Sequence, residues 1–355
     1  MLKNVKKSTK SNVITLGIVV GFYVLIQILS AAGALTNSFS GQLVPICAYV
    51  IMAVSLNLTV GMLGELSLGH AGFMSVGAFS GTLVYVVMSE NAPQPLALLL
   101  AFVVGGAVAG LFGVLVGIPV LRLSGDYLAI VTLAFGEIVK NVMNACYLGV
   151  DSHGLHFSLK DSASLNLEVD GKVLINGAMG ITGIKKASTF TIGIVLVILN
   201  LVNSRAGRAI KAIRDNEIAA RSVGIPITKY KLMAFVTSAV FAGVAGVLYA
   251  LNYSSLVAKK FDYNTSILIL VFVVLGGIGN LRGSVIAAAV LTVLPELLRS
   301  MNDYRMLIYA IVLIVVMIFN QSPEMIALRK RLTARFRKED AEGKGAKDKE
   351  KKGVA

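Results

Sequence analysis

The segment RAGRAIKAIRDNEIAARSVGIPITKYK, residues 205–231, is charged and helix-patterned, and it lies between two apolar runs at 188–204 and 232–251. About 20 consecutive apolar residues cross the ~30 Å hydrocarbon core of a bilayer. The flanking runs therefore indicate membrane spans, and the charged helix between them must lie outside the lipid. A membrane protein does not ordinarily place such a helix between spans, so we expect that another molecule binds it.

The rest of the chain is dominated by similar apolar runs. Hydrophobic residues make up 56% of the 355, and the mean hydropathy is +0.78. Lipid offers no hydrogen-bond partners to the backbone, so the spans must be helical. We predict an all-α polytopic membrane protein with about ten transmembrane helices. The predicted spans are 13–32, 43–61, 67–88, 96–118, 127–148, 188–204, 232–251, 265–280, 283–298 and 304–320.

Lysine and arginine set the orientation, because cytosolic loops carry an excess of both. With ten spans and both termini in the cytosol, 24 of the 33 basic residues lie inside. An odd number of spans would place either the basic start or the basic end of the chain outside. The net charge of +14 then reflects topology and attraction to anionic lipid, rather than nucleic-acid binding.

This topology divides the chain into three parts. Residues 1–12 form a basic cytosolic segment, and residues 13–320 form the transmembrane domain. Residues 321–355 form a basic cytosolic tail, which we expect to be disordered from about Glu339 because it is almost free of apolar residues. Within the transmembrane domain, the loop 149–187 is expected outside and the charged segment 205–231 in the cytosol.

The chain carries no signature of catalysis. It has no phosphate-binding loop, no zinc-protease or serine-hydrolase motif and no cluster of metal-ligating residues. Cys47 and Cys146 fall within predicted spans, so neither indicates a disulfide or a metal site. We expect no catalytic residue, metal or cofactor in this chain, so that any ATP-driven work is done by another subunit.

The charged segment has one face of small and apolar residues. At 100° per residue, this face holds Ile210, Ile213, Glu217, Ala220 and Gly224. Such a helix could lie on anionic lipid, which its arginines would favour. The apolar face is mostly alanine and glycine, however, and this weakness favours docking on a protein.

Two arginines flank the single glutamate of the charged segment. Arg214 lies three positions before Glu217 and Arg221 four positions after it, spacings that let helix side chains meet. Gly224 followed by Pro226 is expected to end the helix. The segment thus predicts one helix with a central carboxylate in a basic surround.

Several motifs carry a resemblance to a known family. Glu217-Ile-Ala-Ala followed by Gly224 resembles the E-x-A-A-x-x-x-G form of the EAA loop of ABC-importer permeases. Four longer segments resemble the branched-chain amino-acid permease family, in particular its M-type subunit, and stand in the family's order. They are LNLTVGMLGELSLGHAGFMSVGAFSG (56–81), GDYLAIVTLAFGEIVKN (125–141), KLMAFVTSAVFAGVAGVLYA (231–250) and VVLGGIGNLRGSVIAAAV (273–290).

The resemblance implies a function and a set of partners. It implies a multi-pass protein of the bacterial cytoplasmic (inner) membrane that forms the translocation path for branched-chain amino acids. The implied partners are two cytosolic ABC ATPase subunits that bind ATP, a second homologous permease subunit and an extracellular or periplasmic substrate-binding protein. The residues expected to couple to the ATPases are Arg214, Glu217, Ala219, Ala220, Arg221 and Gly224.

Some residues depart from the family's pattern. The chain reads LGVDSHGL (148–155) where the family commonly has T-G-G-x-x-G-L, and Gly283-Ser284 where it often has proline. These differences leave the substrate open, with urea, amides or other small solutes as alternatives. An ion-coupled secondary transporter is a further alternative from a different class, and it would use Glu137 as its coupling carboxylate.

Glu137 and Lys140 stand three positions apart within a predicted span. Glu137 lies ~15 Å along the helix from Tyr127, near the membrane midplane. An unpaired charge there costs about 2.5–3.5 kcal/mol. The two residues are therefore either polar groups near the translocation path or a structural pair that satisfies itself.

Glycines crowd the span that begins near residue 67. Ser67, Gly69, His70 and Gly72 are candidates to border the substrate route. The alternatives are tight helix packing for the glycines and a hydrogen-bonded interior position for the histidine. A second group of glycines is expected to form a tight cytosolic turn between two spans, and consists of Gly276, Gly277 and Gly279.

Overall fold

A computed structural model describes residues 37–89, 92–123, 125–151, 153–167, 171–184, 205–298 and 304–321. The chain divides into two compact units, Met1–Val293 and Leu294–Ala355. The predicted spans 13–32 and 188–204, the predicted basic segment 1–12 and the predicted tail beyond residue 321 lie outside the described residues.

Ten α-helices account for most of the described residues. They are α1 (Asn37–Asn57), α2 (His70–Met88), α3 (Gln94–Val120), α4 (Asp126–Ala145), α5 (Arg205–Asp215), α6 (Glu217–Ser222), α7 (Ile227–Ala250), α8 (Tyr263–Gly276), α9 (Leu281–Leu297) and α10 (Arg305–Gln321). A π-helical turn, Leu58–Leu63, extends α1. The last turn of α9 and all of α10 belong to the second unit.

Five of the described helices are long and apolar enough to cross a membrane. They are Gly41–Leu63, His70–Met88, Gln94–Val120, Asp126–Ala145 and Ile227–Ala250. The last three predicted spans also form helices, but α8, α9 and α10 contain only 14, 17 and 17 residues. At 1.5 Å per residue α8 rises about 21 Å, which is less than the thickness of the hydrocarbon core.

The structure is mostly helical, and the predicted all-α fold is wrong for the loop after α4. The chain there forms β1 (Tyr147–Asp151), β2 (Gly154–Ser158), β3 (Lys172–Asn176) and β4 (Ile181–Thr182), and β5 (Ser255–Leu256) follows α7. Antiparallel pairing gives a three-stranded sheet in the order β2-β1-β3 and a two-stranded sheet of β4 and β5.

Two features of the sequence favour this sheet. Asp151 accepts hydrogen bonds from the backbone N–H groups of His153 and Gly154, which closes the turn between β1 and β2. Tyr147 and Leu148, assigned to the preceding span by their hydropathy, pair with β2 instead, so that α4 ends at Ala145. Strands of five residues are too short to be recognised by a search for apolar runs of about 20 residues.

The core of the first unit lies where α2, α3 and α7 pack against one another. Glycines make this close approach possible. A Cβ placed on Gly77 of α2 would lie 2.2 Å from the Cα of Gly243 on α7, and one on Gly105 of α3 would lie 2.8 Å from the carbonyl oxygen of Gly77. The three backbones are in direct contact, as in the small-residue packing of membrane helices.

A second glycine contact joins α2 to α4. A Cβ on Gly69 would lie 2.0 Å from the carbonyl oxygen of Thr132, and one on Gly72 would lie 2.8 Å from the Cα of Gly136. Both glycines therefore lie at close backbone contacts between α2 and α4, as the packing alternative expects.

Replacing Gly77 with alanine is expected to destabilise the protein. Alanine favours a helix over glycine by about 1 kcal/mol, but its methyl group would press on the backbone of Gly243, and overpacking costs about 1–3 kcal/mol. The matched control is Gly41→Ala on α1, where a Cβ would meet nothing within 4 Å. Thermal unfolding in detergent should give a lower midpoint for Gly77→Ala and an unchanged or higher one for Gly41→Ala. An unchanged midpoint for Gly77→Ala would contradict the packing account.

Candidate functional site

The charged segment forms two helices, α5 and α6, and the expectation of one continuous helix is wrong. The break falls at Asn216, whose backbone is extended (φ −160°, ψ 105°) and whose side chain accepts a hydrogen bond from the N–H of Ala219 at 3.0 Å. Asparagine is among the best N-cap residues, so it starts a new helix at Glu217.

Gly224 lies just beyond the end of α6. Its φ is +80°, and its N–H donates to the carbonyl of Arg221, while the N–H of Ile225 reaches back to the carbonyl of Ala220. This is a Schellman motif, which requires a left-handed residue and therefore favours glycine. Gly224 is exposed and a Cβ there would meet nothing, so its backbone conformation alone requires glycine.

The two helices bury one face and expose another. The buried face includes Ile210, Ile213 and Ala220, and the last two pack with Ile227 at the start of α7. The exposed face of α6 carries Ile218, and Val223 just beyond the helix is exposed as well, with exposed fractions of 83% and 75%. Among the residues of the predicted coupling set, Ala220 is thus buried, whereas Ala219 and Arg221 are exposed.

Glu217 makes two ion pairs. Its carboxylate lies 3.3 Å from Arg221 and 3.1 Å from the Nζ of Lys231 on α7. Arg214 does not complete the expected basic surround. It bonds to Asp215 instead, and its Nη1 donates to the carbonyl of Gly61 at 2.7 Å.

Sequence reasoning missed Lys231. Its ammonium lies 2.6 Å from the Oε1 of Glu65, so that it bridges the carboxylates of Glu65 and Glu217. Its side chain is only 13% exposed. The sequence offered one signal for this role: Lys231 lies at the boundary of a predicted span, where a charged side chain needs an oppositely charged partner.

The turn between α8 and α9 adjoins the end of α1. Gly276 ends α8, and Gly277 and Gly279 both have positive φ. The side chain of Asn57 accepts a hydrogen bond from the N–H of Gly279 and donates one to the hydroxyl of Ser284, at 2.9 and 2.8 Å. Asn57 is fully buried, so these bonds fix the turn to α1.

His70 lies in a buried polar cluster between α1, α2 and α7. Its Nε2 lies 2.9 Å from the hydroxyl of Ser55 and 3.3 Å from that of Ser238. Each serine hydroxyl donates to the backbone carbonyl of the other serine. Since each hydroxyl has one proton, Nε2 must be the donor to Ser55. These contacts are those of an interior structural histidine.

Ser67 is also buried, and its hydroxyl has no hydrogen-bond partner among the described residues. The neighbouring Leu68 donates its N–H to the hydroxyl of Thr132 on α4. Ser67, Gly69, His70 and Gly72 therefore lie along the contacts of α2 with α1, α4 and α7.

Glu137 and Lys140 pair with each other across one turn of α4. The second carboxylate oxygen of Glu137 accepts the N–H of Tyr263 at 3.2 Å, at the first turn of α8. Asp262 caps the same helix through the N–H of Thr265. Burial raises the pKa of Asp262, but its hydrogen bonds outweigh this effect and hold the pKa below its usual value.

This arrangement is that of a helical membrane bundle with a charged, solvent-exposed segment that ion pairs hold to the bundle. The family model of the branched-chain amino acid transport system permease component matches residues 38–317. The chain belongs to this family, and it is therefore a multi-pass membrane protein of the transport-permease class.

Two curated relatives support the assignment. The chain is 35% identical over 289 residues to the high-affinity branched-chain amino acid transport system permease protein LivM of Salmonella typhimurium, and 34% identical over 287 residues to LivM of Escherichia coli. Each match covers 76% of this chain and 66% of the relative, just under two thirds of its length.

A more distant similarity reaches another kind of permease. The fructose import permease protein FruG of Bifidobacterium longum is 27% identical over 121 residues, which is 31% of this chain and 36% of that protein. No solved structure matches the chain significantly.

Replacing Asn216 with alanine is expected to loosen the start of α6. The loss of an N-cap costs about 1 kcal/mol, or about a fivefold change in the local opening equilibrium. Hydrogen exchange should therefore accelerate about fivefold at the amide of Ala219, which Asn216 caps. Asn216→Asp keeps the acceptor and should leave the rate near that of the unchanged protein. Equal exchange in Asn216→Ala would show that the cap does not define α6.

Proposed function

We propose that this chain is the permease subunit of an ATP-driven ABC importer. It forms the translocation path for branched-chain amino acids and couples to a separate ATPase through the cytosolic segment 205–226. Membership of the permease family and similarity to the LivM branched-chain amino acid permease proteins support the transport role. The exposed face of α6 supports the coupling role.

That exposed face is the observation that carries the proposal. Ile218 is 83% exposed and Val223, which follows the last residue of α6, is 75% exposed, and exposed apolar side chains in a segment otherwise rich in charge favour contact with a partner. The alternative, in which the segment lies on anionic lipid, needs its larger apolar face to be free. That face is already occupied, because Ile213 and Ala220 pack against Ile227.

Contacts between distant segments support the proposed grouping of the connecting loops on two sides of the membrane. Gly61, Arg214 and Gly279 belong to three segments that the distribution of charge places inside, and they meet one another. On the side assigned to the exterior, β4 pairs with β5, and Asn252 donates to the carbonyl of Gly41. A ten-span arrangement accounts for both groups of contacts.

The proposed assembly contains this chain, a second homologous permease subunit, two cytosolic ABC ATPase subunits and an external substrate-binding protein, in the bacterial cytoplasmic membrane. ATP is bound by the ATPase subunits. The sheet of β1, β2 and β3 lies on the external side in this topology, where a binding protein would deliver the substrate.

The second candidate function is ion-coupled transport, with Glu137 as the coupling carboxylate. The contacts of Glu137 favour a structural role instead. One oxygen pairs with Lys140 and the other accepts the N–H of Tyr263, so that protonation of Glu137 would break the ion pair with Lys140. An ATP-driven importer needs no such carrier.

Replacing Ile218 with aspartate tests the docking face. A charge in the middle of an apolar contact should lower the amount of ATPase that co-purifies with the chain by about tenfold or more. ATP-driven uptake should fall in proportion. The matched control, for ATPase co-purification alone, is Leu155→Asp on β2, which places the same charge at a residue that is 70% exposed on the side assigned to the exterior. Undiminished co-purification of the ATPase with Ile218→Asp would refute docking through α6.

Competition experiments test the substrate and the energy source. In vesicles of the purified transporter with its binding protein, isoleucine and valine should compete with labelled leucine, whereas urea should not. Uptake should require ATP and persist after a protonophore collapses the proton gradient. Competition by urea would favour the amide alternative, and loss of uptake with the gradient would favour the secondary transporter.

A further inference from the structure

The link between α1 and α2 contacts α5 and the beginning of α7, the helices on either side of α6, at two points. This link, residues 58–69, contains the π-helical turn Leu58–Leu63 and the non-helical stretch that leads to His70. One contact is the hydrogen bond from Arg214 to the carbonyl of Gly61. The other is the ion pair of Lys231 with Glu65.

Both contacts are close and partly shielded from water. A Cβ on Gly64, which has φ +84°, would lie 2.8 Å from the Cγ of Arg214, so the arginine stem packs directly over the link. The side chains of Lys231 and Glu65 are 13% and 14% exposed. A shielded pair resists separation far more than a surface pair, because breaking it leaves charges that water reaches poorly.

Lys231 joins three separate parts of the chain. It lies near the start of α7, as the fifth residue of that helix, and its ammonium forms ion pairs with both Glu65 of the link and Glu217 of α6. The two carboxylates would repel each other without it. A displacement of α6 therefore moves Lys231, Glu65 or both, unless an ion pair breaks.

The far end of the link enters the packed core. The N–H of Leu68 donates to the hydroxyl of Thr132, and Gly69 touches the backbone of the same residue. Gly72 follows one turn later against Gly136, beside Glu137. A displacement of the link would therefore also displace α2 relative to α4 at their contact.

We propose that Lys231 and Arg214 are positioning residues that transmit the displacement of α6 to the link 58–69, and through it to the contact between α2 and α4. This inference rests on the proposed function, since it assumes that an ATPase moves α6. Lys231 is the main tie because it holds the link and α6 together. Arg214 holds the middle of the link through a backbone carbonyl, which no substitution in the link itself would remove.

The test compares three substitutions in the assembled transporter. Lys231→Met removes the charge and keeps an unbranched stem of similar reach. Lys231→Arg keeps the positive charge and the ability to donate hydrogen bonds to both Glu65 and Glu217. Lys229→Met removes an exposed charge two residues away and serves as the control. The readouts are co-purified ATPase, the rate of ATP hydrolysis and the amount of labelled leucine taken up per ATP hydrolysed.

Lys231→Met should retain its ATPase and hydrolyse ATP, but uptake per ATP should fall about tenfold, in the range of typical coupling effects. Lys231→Arg and Lys229→Met should both stay within about twofold of the unchanged transporter. The double variant Lys231→Met/Glu65→Gln removes the stranded carboxylate and should fold as the unchanged chain does, yet remain uncoupled.

Unchanged uptake per ATP in Lys231→Met would overturn the inference. Restoration of coupling in the double variant would also overturn it, since the defect would then come from a stranded charge. These outcomes are distinct from failure of the proposed function, in which the unchanged transporter itself would show neither associated ATPase nor ATP-driven uptake.

Discussion

Direct contact between the backbones of α2, α3 and α7 is the constraint on which the rest of the structure depends. Lipid gives membrane helices no hydrophobic reason to associate, so close packing must hold them together. Gly77, Gly105 and Gly243 bring the three helices so close that even a methyl group would meet backbone atoms. Such contacts leave no room for gradual adjustment, so the three helices behave as one body.

A rigid core confines movement to the connections around it. The link between α1 and α2 contains a π-helical turn and six further residues, and π-helical segments are commonly found at functional positions. The turn between α8 and α9 is anchored to the buried side chain of Asn57, just before the same link. The link is therefore the segment that is able to move beside α5 and α6, on the side where we place the ATPase.

Much of the architecture follows from the sequence because lipid imposes a simple rule. A span must be apolar and helical, so five predicted spans coincide with described helices that can cross a membrane. The turns at Gly224 and Gly277 also follow from the sequence, because glycine adopts positive φ most readily and both residues have positive φ. The short strands after α4 were not predicted, since strands of two to five residues are much shorter than a membrane span and β3 and β4 pair with residues far away in the chain.

The partners of the charged residues were harder to predict. Helical spacing pairs Glu217 with Arg221 but cannot show that Asn216 interrupts the helix and frees Arg214 to reach Gly61. Lys231 lies 166 positions from Glu65, and no local pattern links the two. Patterns within a short stretch of sequence therefore predict the helices. The hydrogen bonds and ion pairs between helices join residues that are distant in the sequence, so those patterns do not predict them.

The sidedness of α6 tests the account most directly. In a chain with Cys47 and Cys146 replaced by alanine, single cysteines would be introduced at Val223 on the exposed face of α6 and at Leu155 on the sheet beyond α4. A membrane-impermeant thiol reagent should label the cysteine at position 223 only in inside-out vesicles, and that at position 155 only in right-side-out vesicles. Labelling of position 223 from the outside would contradict the account, because no cytosolic ATPase could then reach the coupling helix.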